Sequence, residues 1–325
     1  MVILVTGASG VLGSSVARAL VGAGHEVRTL QRRPSGVEGA QDVLGSVTDE
    51  DVAARALDGA EAVVHMAAKV SMAGDPADFA RVNIDGTRTV LAAARAAGTV
   101  SRFVHVSSPS VAHAGSSLVG EGAGPASPEH ARGDYARTKA AGEILALEAD
   151  SPAFPVLVLR PHLMWGPGDT QLTERIIDRA RSGRMPILGS GAALVDTLYL
   201  TNAVEAVVAA LDAVTRVHGE ALVVTNGQPR PIGELVERMA RAGGAGAPKL
   251  RVPVAPARAA GTVVEKVWAL GEHDDEPPLT HFLAEQLSTA HWFDQRRTRE
   301  VLGWTPRVTI EQGMKELASH YGGEA

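Results

Sequence analysis

The sequence predicts a doubly wound α/β fold, a parallel sheet with helices on both faces, and a smaller C-terminal lobe. Three observations predict it. Apolar, β-branched runs recur along the first half of the chain, amphipathic stretches fill the gaps between them, and the first run ends in glycines spaced by three, Gly7, Gly10 and Gly13. Strands joined through helices pair in parallel, and strands buried on both faces read as unbroken apolar runs, as these do. A chain of 325 residues accommodates one large α/β domain with an added lobe.

The elements follow in order. "VILVTG" is the opening strand; it runs straight into the glycine turn without a basic leader, so it reads as structure and not as a signal peptide. "SSVARALVGAG" has apolar residues at helical period and ends in glycine, a common helix stop, and "GTRTVLAAARAAG" repeats that pattern. "HEVRTLQ", "AVVHMAA", "FVHVSS" and "VLVLRP" are the further strands. After "LRPHLMWGPGD" the alternation breaks at Gly166, Pro167 and Gly168, and "PRPIGELVERMARAGG" and "PLTHFLAEQL" read as separate helices of the lobe. "VDTLYLTNAVEAVVAAL", from Val195 to Leu211, reads as a return to the main sheet. The division expected is therefore interleaved: 1–166 and about 194–224 for the sheet domain, about 167–193 and 225–325 for the lobe.

Composition narrows the function. No window has the ~18–20 uninterrupted apolar residues of a membrane span. With no cysteine, disulfides, zinc thiolates and cysteine nucleophiles are excluded, and a cytoplasmic location is the default. A net charge of -6 without a long basic run gives no footprint for nucleic acid. His113 and His162 stand at no metal-ligand spacing and read as pocket or packing residues, so no metal is expected.

The glycine turn sits between a strand and a helix inside one βαβ unit, the setting of a Rossmann-type dinucleotide cradle. There glycines permit the sharp turn, the close approach of backbone to a pyrophosphate and the packing of helix on sheet, while the helix N-terminus faces the phosphates. The second strand ends in Gln31, where an NAD-binding protein usually has an acid for the ribose 2′-OH. Arg32 and Arg33 follow, and a guanidinium suits a 2′-phosphate, so NADP(H) is the expected cofactor.

"GDYARTKAAGEILALE" places Tyr135 and Lys139 one helical turn apart on one face. Ser107 and Ser108 stand at the carboxyl end of the "FVHVSS" strand, the edge where open α/β sheets bind ligands. A phenol near pKa 10 exchanges protons poorly at neutrality, and an adjacent ammonium favours the phenolate. Tyr135 is thus placed to protonate a carbonyl oxygen as hydride reaches the carbon, with Ser108 donating to the same oxygen and Lys139 bonding the nicotinamide ribose as well.

With these residues assembled, the sequence resembles the extended short-chain dehydrogenase/reductases over nearly its whole length. The resemblance rests on "TGASGVLG", "HMAA", "NIDGT", the serine strand, Tyr135/Lys139, "LRP" and "LGWTPR". It implies a phosphate turn formed by Gly7, Ser9, Gly10, Val11, Leu12 and Gly13, cofactor contacts from Ala67, Ala68 and Lys69, and Asn83 ordering the active-site water network. It also implies that Pro161, His162 and Met164 border the nicotinamide. Ser46 stands where the family usually has an aspartate for the adenine, which leaves that contact to Ser46 and the backbone near Val47. Pro109 follows the serine pair and no tyrosine follows in "SSPSVAHAG", so a register one residue along would substitute Ser110 for Ser108.

Further motifs, "LRPHLMWGPGDTQL", "GSGAALVDTLYLTNAVEA" and "PPLTHFLAEQLSTAHWF", resemble the 3β-hydroxysteroid dehydrogenase-like branch, and within it the bacterial reductases of 2-alkyl-3-oxoalkanoates. That implies NADPH-linked reduction of an apolar 3-oxo substrate, in a pocket drawn from Met72, Ser110, Leu163, Met164, Trp165, Leu172, Leu194 and the stretch Leu279 to Leu283. It also implies a homodimer, as is frequent among short-chain dehydrogenases. The alternatives are a 3β-hydroxysteroid dehydrogenase, a nucleotide-sugar epimerase or dehydratase, and a cofactor-binding regulator without turnover. An epimerase or dehydratase would call for NAD, which "LQRRP" argues against, and for basic residues in the lobe to hold a diphosphate; a regulator has no need of the acid Tyr135.

Overall fold

The computed structural model describes residues 1–71, 74–113, 115–268 and 280–324. In chain order it runs β1 (Val2–Thr6), α1 (Val11–Gly22), β2 (Glu26–Gln31), β3 (Ala40–Leu44), α2 (Glu50–Leu57), β4 (Ala62–His65), α3 (Pro76–Ala80), α4 (Gly86–Ala97), β5 (Arg102–Val106), β6 (Leu118–Glu121), α5 (Gly133–Glu148) and β7 (Val156–Pro161). It continues with β8 (Met164–Trp165), α6 (Thr173–Arg181), β9 (Pro186–Leu188), β10 (Leu194–Val195), β11 (Leu198–Tyr199), α7 (Leu200–Ala213), β12 (Glu220–Val224), β13 (Arg230–Pro231) and α8 (Ile232–Ala242). The last elements are β14 (Leu250–Val252), α9 (Val254–Trp268), α10 (His281–Gln286), β15 (His291–Phe293), α11 (Arg296–Leu302) and α12 (Ile310–Tyr321). A π-helical turn, Arg81–Asp85, joins α3 to α4, and a 3-10 turn, Pro109–Ala112, follows β5.

Seven strands form the central sheet in the order β3-β2-β1-β4-β5-β7-β12, every pair parallel. The doubly wound fold is therefore borne out. Strand order reverses between β1 and β4, and the crevice beyond their carboxyl ends is where such sheets bind ligands. One face of the sheet buries Val16, Leu20, Val207 and Leu211 from α1 and α7. The other buries Val52, Leu57, Val90 and Leu91 from α2 and α4.

The return expected from Val195 to Leu211 takes a different form. Within it Val195 pairs with β13 and β15, Leu198 and Tyr199 pair with β8, α7 then lies on the sheet face, and β12 re-enters the main sheet beside β7. Leu200 to Leu211 has too few polar interruptions to separate a face-packed helix from a strand by pattern alone. Beyond the main sheet, β13-β10-β15-β6 form a second sheet from four distant segments, and a separate core gathers Trp165, Tyr199, Leu235, Met239, Met314 and Leu317. Among the described residues, no helix is long and apolar enough to cross a membrane.

Candidate active site

The three glycines of the first turn have different reasons to be glycine. Gly7 has φ +77°, and a Cβ there would lie 2.9 Å from backbone atoms of Ala67, so the ends of β1 and β4 touch through it. A Cβ on Gly13 would come within 2.4 Å of the Gly7 carbonyl oxygen, so that glycine lets α1 pack on the turn. Gly10 differs: its φ is -92°, and a Cβ would meet only the Gly7 oxygen, at an ordinary 3.5 Å. The protein's own packing does not require this glycine, and its backbone is open to close approach from solvent. Ser9 and Gly10 are exposed, Val11 is half-buried and Leu12 is in the core. α1 begins without a side-chain cap or an acid in its first turn, which leaves its N-terminal amides to an anion. These residues fit a dinucleotide pyrophosphate.

At the end of β2, Gln31 is buried, its amide donating to Thr29 Oγ1 at 3.0 Å and Asp42 Oδ1 at 3.2 Å. Asp42 also accepts from Thr29 Oγ1 and the Ser35 amide, so this nearby acid is engaged by the protein. Arg32 and Arg33 are exposed and make no hydrogen bond or ion pair among the described residues. Ser46 is half-buried, bonded to the Thr48 hydroxyl at 2.8 Å, and Val47 is buried against Gly86.

Beyond β4 a hydrogen-bond network fixes the floor of the crevice. Thr6 Oγ1 accepts from the amides of Met66 and Ala67, both at 3.0 Å, and so has its own proton for His65 Nδ1 at 2.8 Å. Thr87 Oγ1 donates to the Asn83 carbonyl at 2.8 Å, so it accepts from His65 Nε2 at 3.1 Å. The network thus assigns a neutral imidazole with the proton on Nε2. Burial pushes His65 down to about 3, and the Lys139 charge adds to this. Asn83 sits in the π turn; its Oδ1 accepts from the Lys69 amide at 2.7 Å, and its Nδ2 donates to the Lys69 carbonyl and Thr138 Oγ1. Ala67 and Ala68 are half-buried, while the Lys69 ammonium pairs with Asp78 at 3.1 Å.

The serine turn and α5 bring the expected triad together. Ser108 caps the 3-10 turn and accepts from the Ser110 amide at 3.3 Å and the Ser110 hydroxyl at 2.9 Å. Its own proton is left for the Tyr135 hydroxyl, whose ionised form Ser108 favours. Ser107 points inward, buried and unpartnered, and Pro109 is buried, so Ser108 is the serine that faces the phenol. Lys139 is 4% exposed and donates to the Val106 carbonyl at 2.7 Å. Burial lowers it to about 8, opposed by the charge of Glu143. The phenol of Tyr135 is pushed up by burial, with Ser108 pulling it down. Burial and Ser108 act on the phenol here, without the lowering expected from Lys139.

The residues expected to border the nicotinamide lie at the exit of β7. Pro161 and Met164 are half-buried; His162 is buried, its Nδ1 bonded to the Asp196 carbonyl at 2.5 Å, and burial lowers it to about 4. Between them Leu163 has φ +42°, a strained conformation for a leucine and the one non-glycine at positive φ among the described residues. His162 and His113 both pack on His291, whose Nε2 lies 3.1 Å from that of His113.

The expected substrate pocket needs correction. Trp165 is fully buried in the core with its indole N–H on Thr197 Oγ1 at 2.9 Å, so it is a packing residue and not a pocket wall. Leu163 and Leu172 pack partly buried against the same core, and Leu194 is exposed on β10. Met72 and Leu279 lie outside the described residues. A cleft of about 260 Å³ opens instead beside the serine turn, walled by Pro109, Ala112, Leu118, Ala123, Pro125 and Phe293. Sequence reading missed Gly142, Glu143 and Arg160. A Cβ on Gly142 would lie 2.5 Å from the Asn83 carbonyl, so this glycine seats α5 on the π turn, and Glu143 and Arg160 form a fully buried ion pair at 2.5 Å. The run Tyr135, Lys139, Gly142, Glu143 on one helix was the available signal.

Comparison with known proteins agrees with this geometry. Residues 3–225 match the model of the NAD dependent epimerase/dehydratase family. The chain is 38% identical over 98% of both chains to a 2-alkyl-3-oxoalkanoate reductase of Stenotrophomonas maltophilia. It is 33% identical to one of Shewanella oneidensis, over 96% of this chain and 84% of that one. A 4-hydroxy-2-methyl-3-oxo-4-farnesyl-3,4-dihydroquinoline-1-oxide ketoreductase of Stigmatella aurantiaca is 32% identical over 96% and 94%. Among solved structures, gox2253 superposes with a TM-score of 0.79 at 25% identity, covering 99% of this chain and 98% of that one. MoeE5 in complex with UDP-glucose and NAD gives 0.76 at 22% over 98% of each, a likeness of fold.

Proposed function

The chain belongs to the NAD dependent epimerase/dehydratase family, the extended short-chain dehydrogenase/reductases, as an oxidoreductase, and on that premise we propose that it is an NADP(H)-dependent ketoreductase of apolar 3-oxo substrates, specifically 2-alkyl-3-oxoalkanoates. The observation that carries this reading is the convergence of Ser108, Tyr135 and Lys139 at the carboxyl edge of β5. The relatives named as reductases of 2-alkyl-3-oxoalkanoates support the substrate class.

When bound, the nicotinamide supplies the hydride. The residues of this chain supply the rest. A phenol held above its ordinary range by burial stays protonated at neutral pH, which suits Tyr135 to give a proton to the carbonyl oxygen in the reductive direction. Ser108, itself steadied by two donors from Ser110, donates to that oxygen as its charge develops, and donors placed in advance act in this way at low cost. Lys139 is assigned to the ribose, and Asn83, clamped to the Lys69 backbone and Thr138, holds the π turn behind it. The cleft beside Pro109, whose Ala112, Leu118, Pro125 and Phe293 suit an alkyl chain, also carries Glu121, Ser127 and His130.

Arg32, free and exposed after the inward-turned Gln31, supports the choice of NADP(H), with Arg33 beside it. The test follows NADPH and NADH oxidation separately with 2-alkyl-3-oxo acids, 3-oxosteroids and nucleotide sugars. Oxidation of NADPH with the oxo acids is expected, and Gln31→Asp with Arg32→Ala should move preference to NADH, weakening NADPH by about 1.5–3 kcal/mol. Turnover of nucleotide sugars alone, or a wild-type preference for NADH, would overturn the substrate or the cofactor part respectively.

A further inference from the structure

Directly beneath the triad lies a polar pair for which the chemistry above has no use. Glu143 and Arg160 are 0% and 1% exposed at the side chain. Arg160 Nε and Nη2 reach the two Glu143 oxygens at 3.0 and 2.5 Å, and Nη1 donates to the carbonyl of Ala123, in the wall of the cleft. Taking two charges out of water costs several kcal/mol each, and such a pair is commonly no more stable than apolar side chains of the same size. Its cost asks for a local return.

The return is legible in the helix. Glu143 stands one turn beyond Lys139 on α5, as Lys139 stands one turn beyond Tyr135, so the carboxylate and the ammonium share a face. Every other ionisable group facing Lys139 fails to stabilise its charge. From β4 comes His65 and from β5 comes His105, both buried and neutral; from α5 comes the Tyr135 phenol; the π turn contributes Asn83 and the start of α4 contributes Thr87, which do not titrate. From β7 comes Arg160, a cation whose charge is met by Glu143. Glu143 is thus the one anion on this side of the ammonium among the described residues, and its orientation depends on Arg160 gripping both oxygens.

We propose that the Glu143–Arg160 pair is a positioning device for the reaction: Glu143 keeps the buried Lys139 in its charged form, and Arg160 holds Glu143 in place while tying the Ala123 strap to the active-site helix. This rests on the assignment of Lys139 given above, but its test does not need turnover. The charge of Glu143 raises Lys139 against the much larger lowering by burial. Removing it should let the ammonium lose its proton at still lower pH.

The chain has five lysines, so selectively labelled lysine gives a short set of ε-methylene resonances, and Lys139→Met assigns the one that matters. In the wild type without ligand, Lys139 should titrate near 8. In Glu143→Gln, which keeps a hydrogen bond to Arg160, the midpoint should fall by about one pH unit, the alkaline limb of kcat should move with it, and Glu143→Asp should restore most of both. If Glu143→Gln does not fold, the pair Glu143→Leu with Arg160→Met removes both charges, and the midpoint should still fall, though by less, because the cation that Glu143 offsets goes with it. A folded variant of either kind whose Lys139 titrates as in the wild type overturns the proposal and makes the pair purely structural. If the titration shifts while 3-oxo acids are not turned over, the positioning claim stands and the substrate reading falls.

Discussion

Replacing Lys139 by methionine should abolish efficient turnover and yet relieve the fold of a burden. An ammonium lowered from its ordinary 10.5 to about 8 in the folded protein costs about 3 kcal/mol at neutral pH, at about 1.4 kcal/mol per pH unit. The sign follows from proton counting. Between about 8 and 10.5 the unfolded chain holds this proton and the folded one does not, so wild-type stability rises with pH through that window; below about 8 the full cost is present. Methionine removes the cost but leaves the Val106 carbonyl without its donor, a loss of about 1–3 kcal/mol at any pH. At about pH 7 the variant should therefore be as stable as the wild type or up to about 2 kcal/mol more stable. By about pH 10 the wild type should gain about 2–3 kcal/mol relative to it and become the more stable of the two. Paired urea unfolding curves at both pH values measure this difference, and other groups that titrate cancel in it. A difference that stays constant between the two would show that Lys139 is not held below its ordinary range, and the reasoning about its burial would fail.

Tyr135→Phe should lower turnover by about 10²–10⁴ with little change in cofactor affinity, because the ring packing stays and only the acid goes; single-turnover reduction measures it. In the same assay Ser108→Ala should lose about 10²–10³, and Ser110→Ala, which removes a support of Ser108, should lose less; the reverse order would place the donor on Ser110. Gly10→Ala should change stability by less than about 1 kcal/mol while abolishing dinucleotide binding, whereas Gly13→Ala should destabilise the fold through its 2.4 Å contact with the Gly7 carbonyl. Cofactor titration beside thermal unfolding separates them, and a Gly10→Ala protein that binds normally refutes the cradle. Acid should unfold the protein steeply. Burial holds His65 and His291 at about 3 and His162 at about 4, so below 6.5 the unfolded chain takes up protons that the folded one refuses. His105 is likewise held well below its ordinary range, and Asp196, raised to about 6, offsets one of the four, leaving a fall of about 4 kcal/mol per pH unit between about pH 6 and 4. Urea midpoints that do not change from about pH 7 to 5 would contradict it.

What could be read from the sequence was whatever a period or a chemical spacing records. The inner strands β1, β4, β5 and β7 are apolar runs because both faces are covered, and the glycine turn and the pair Tyr135/Lys139 carry their geometry in their spacing. β3 went unseen because it is an edge strand whose residues Gln41, Asp42 and Leu44 are exposed, so no face imposes a pattern. β8, β10, β11 and β13 have two residues each, too short for any period, and they exist only through their partners. The π turn around Asn83 has no compositional mark. Trp165 looked like a pocket wall because an aromatic in a loop-like stretch gives no sign of which way it faces. The Glu143–Arg160 pair joins a helix to a strand, and nothing local in either reveals the other.

The second sheet has a consequence for how the protein is made. All seven strands of the main sheet have been synthesised by Val224, and each can find its neighbours as the chain emerges. β6 is different: it lies at the edge of its sheet, and its partner, β15, begins only at His291. From the time Glu121 leaves the ribosome until Phe293 does, β6 presents an unpaired strand edge, the kind of surface by which nascent chains aggregate. Gly120 and Gly122 flank its end, and both residues disfavour pairing with a stranger. The same delay governs the cleft beside the serine turn, since Leu118 and Phe293 are both in its walls. A ribosome stalled between those two residues would display the glycine turn and the main sheet with one wall of the cleft still missing.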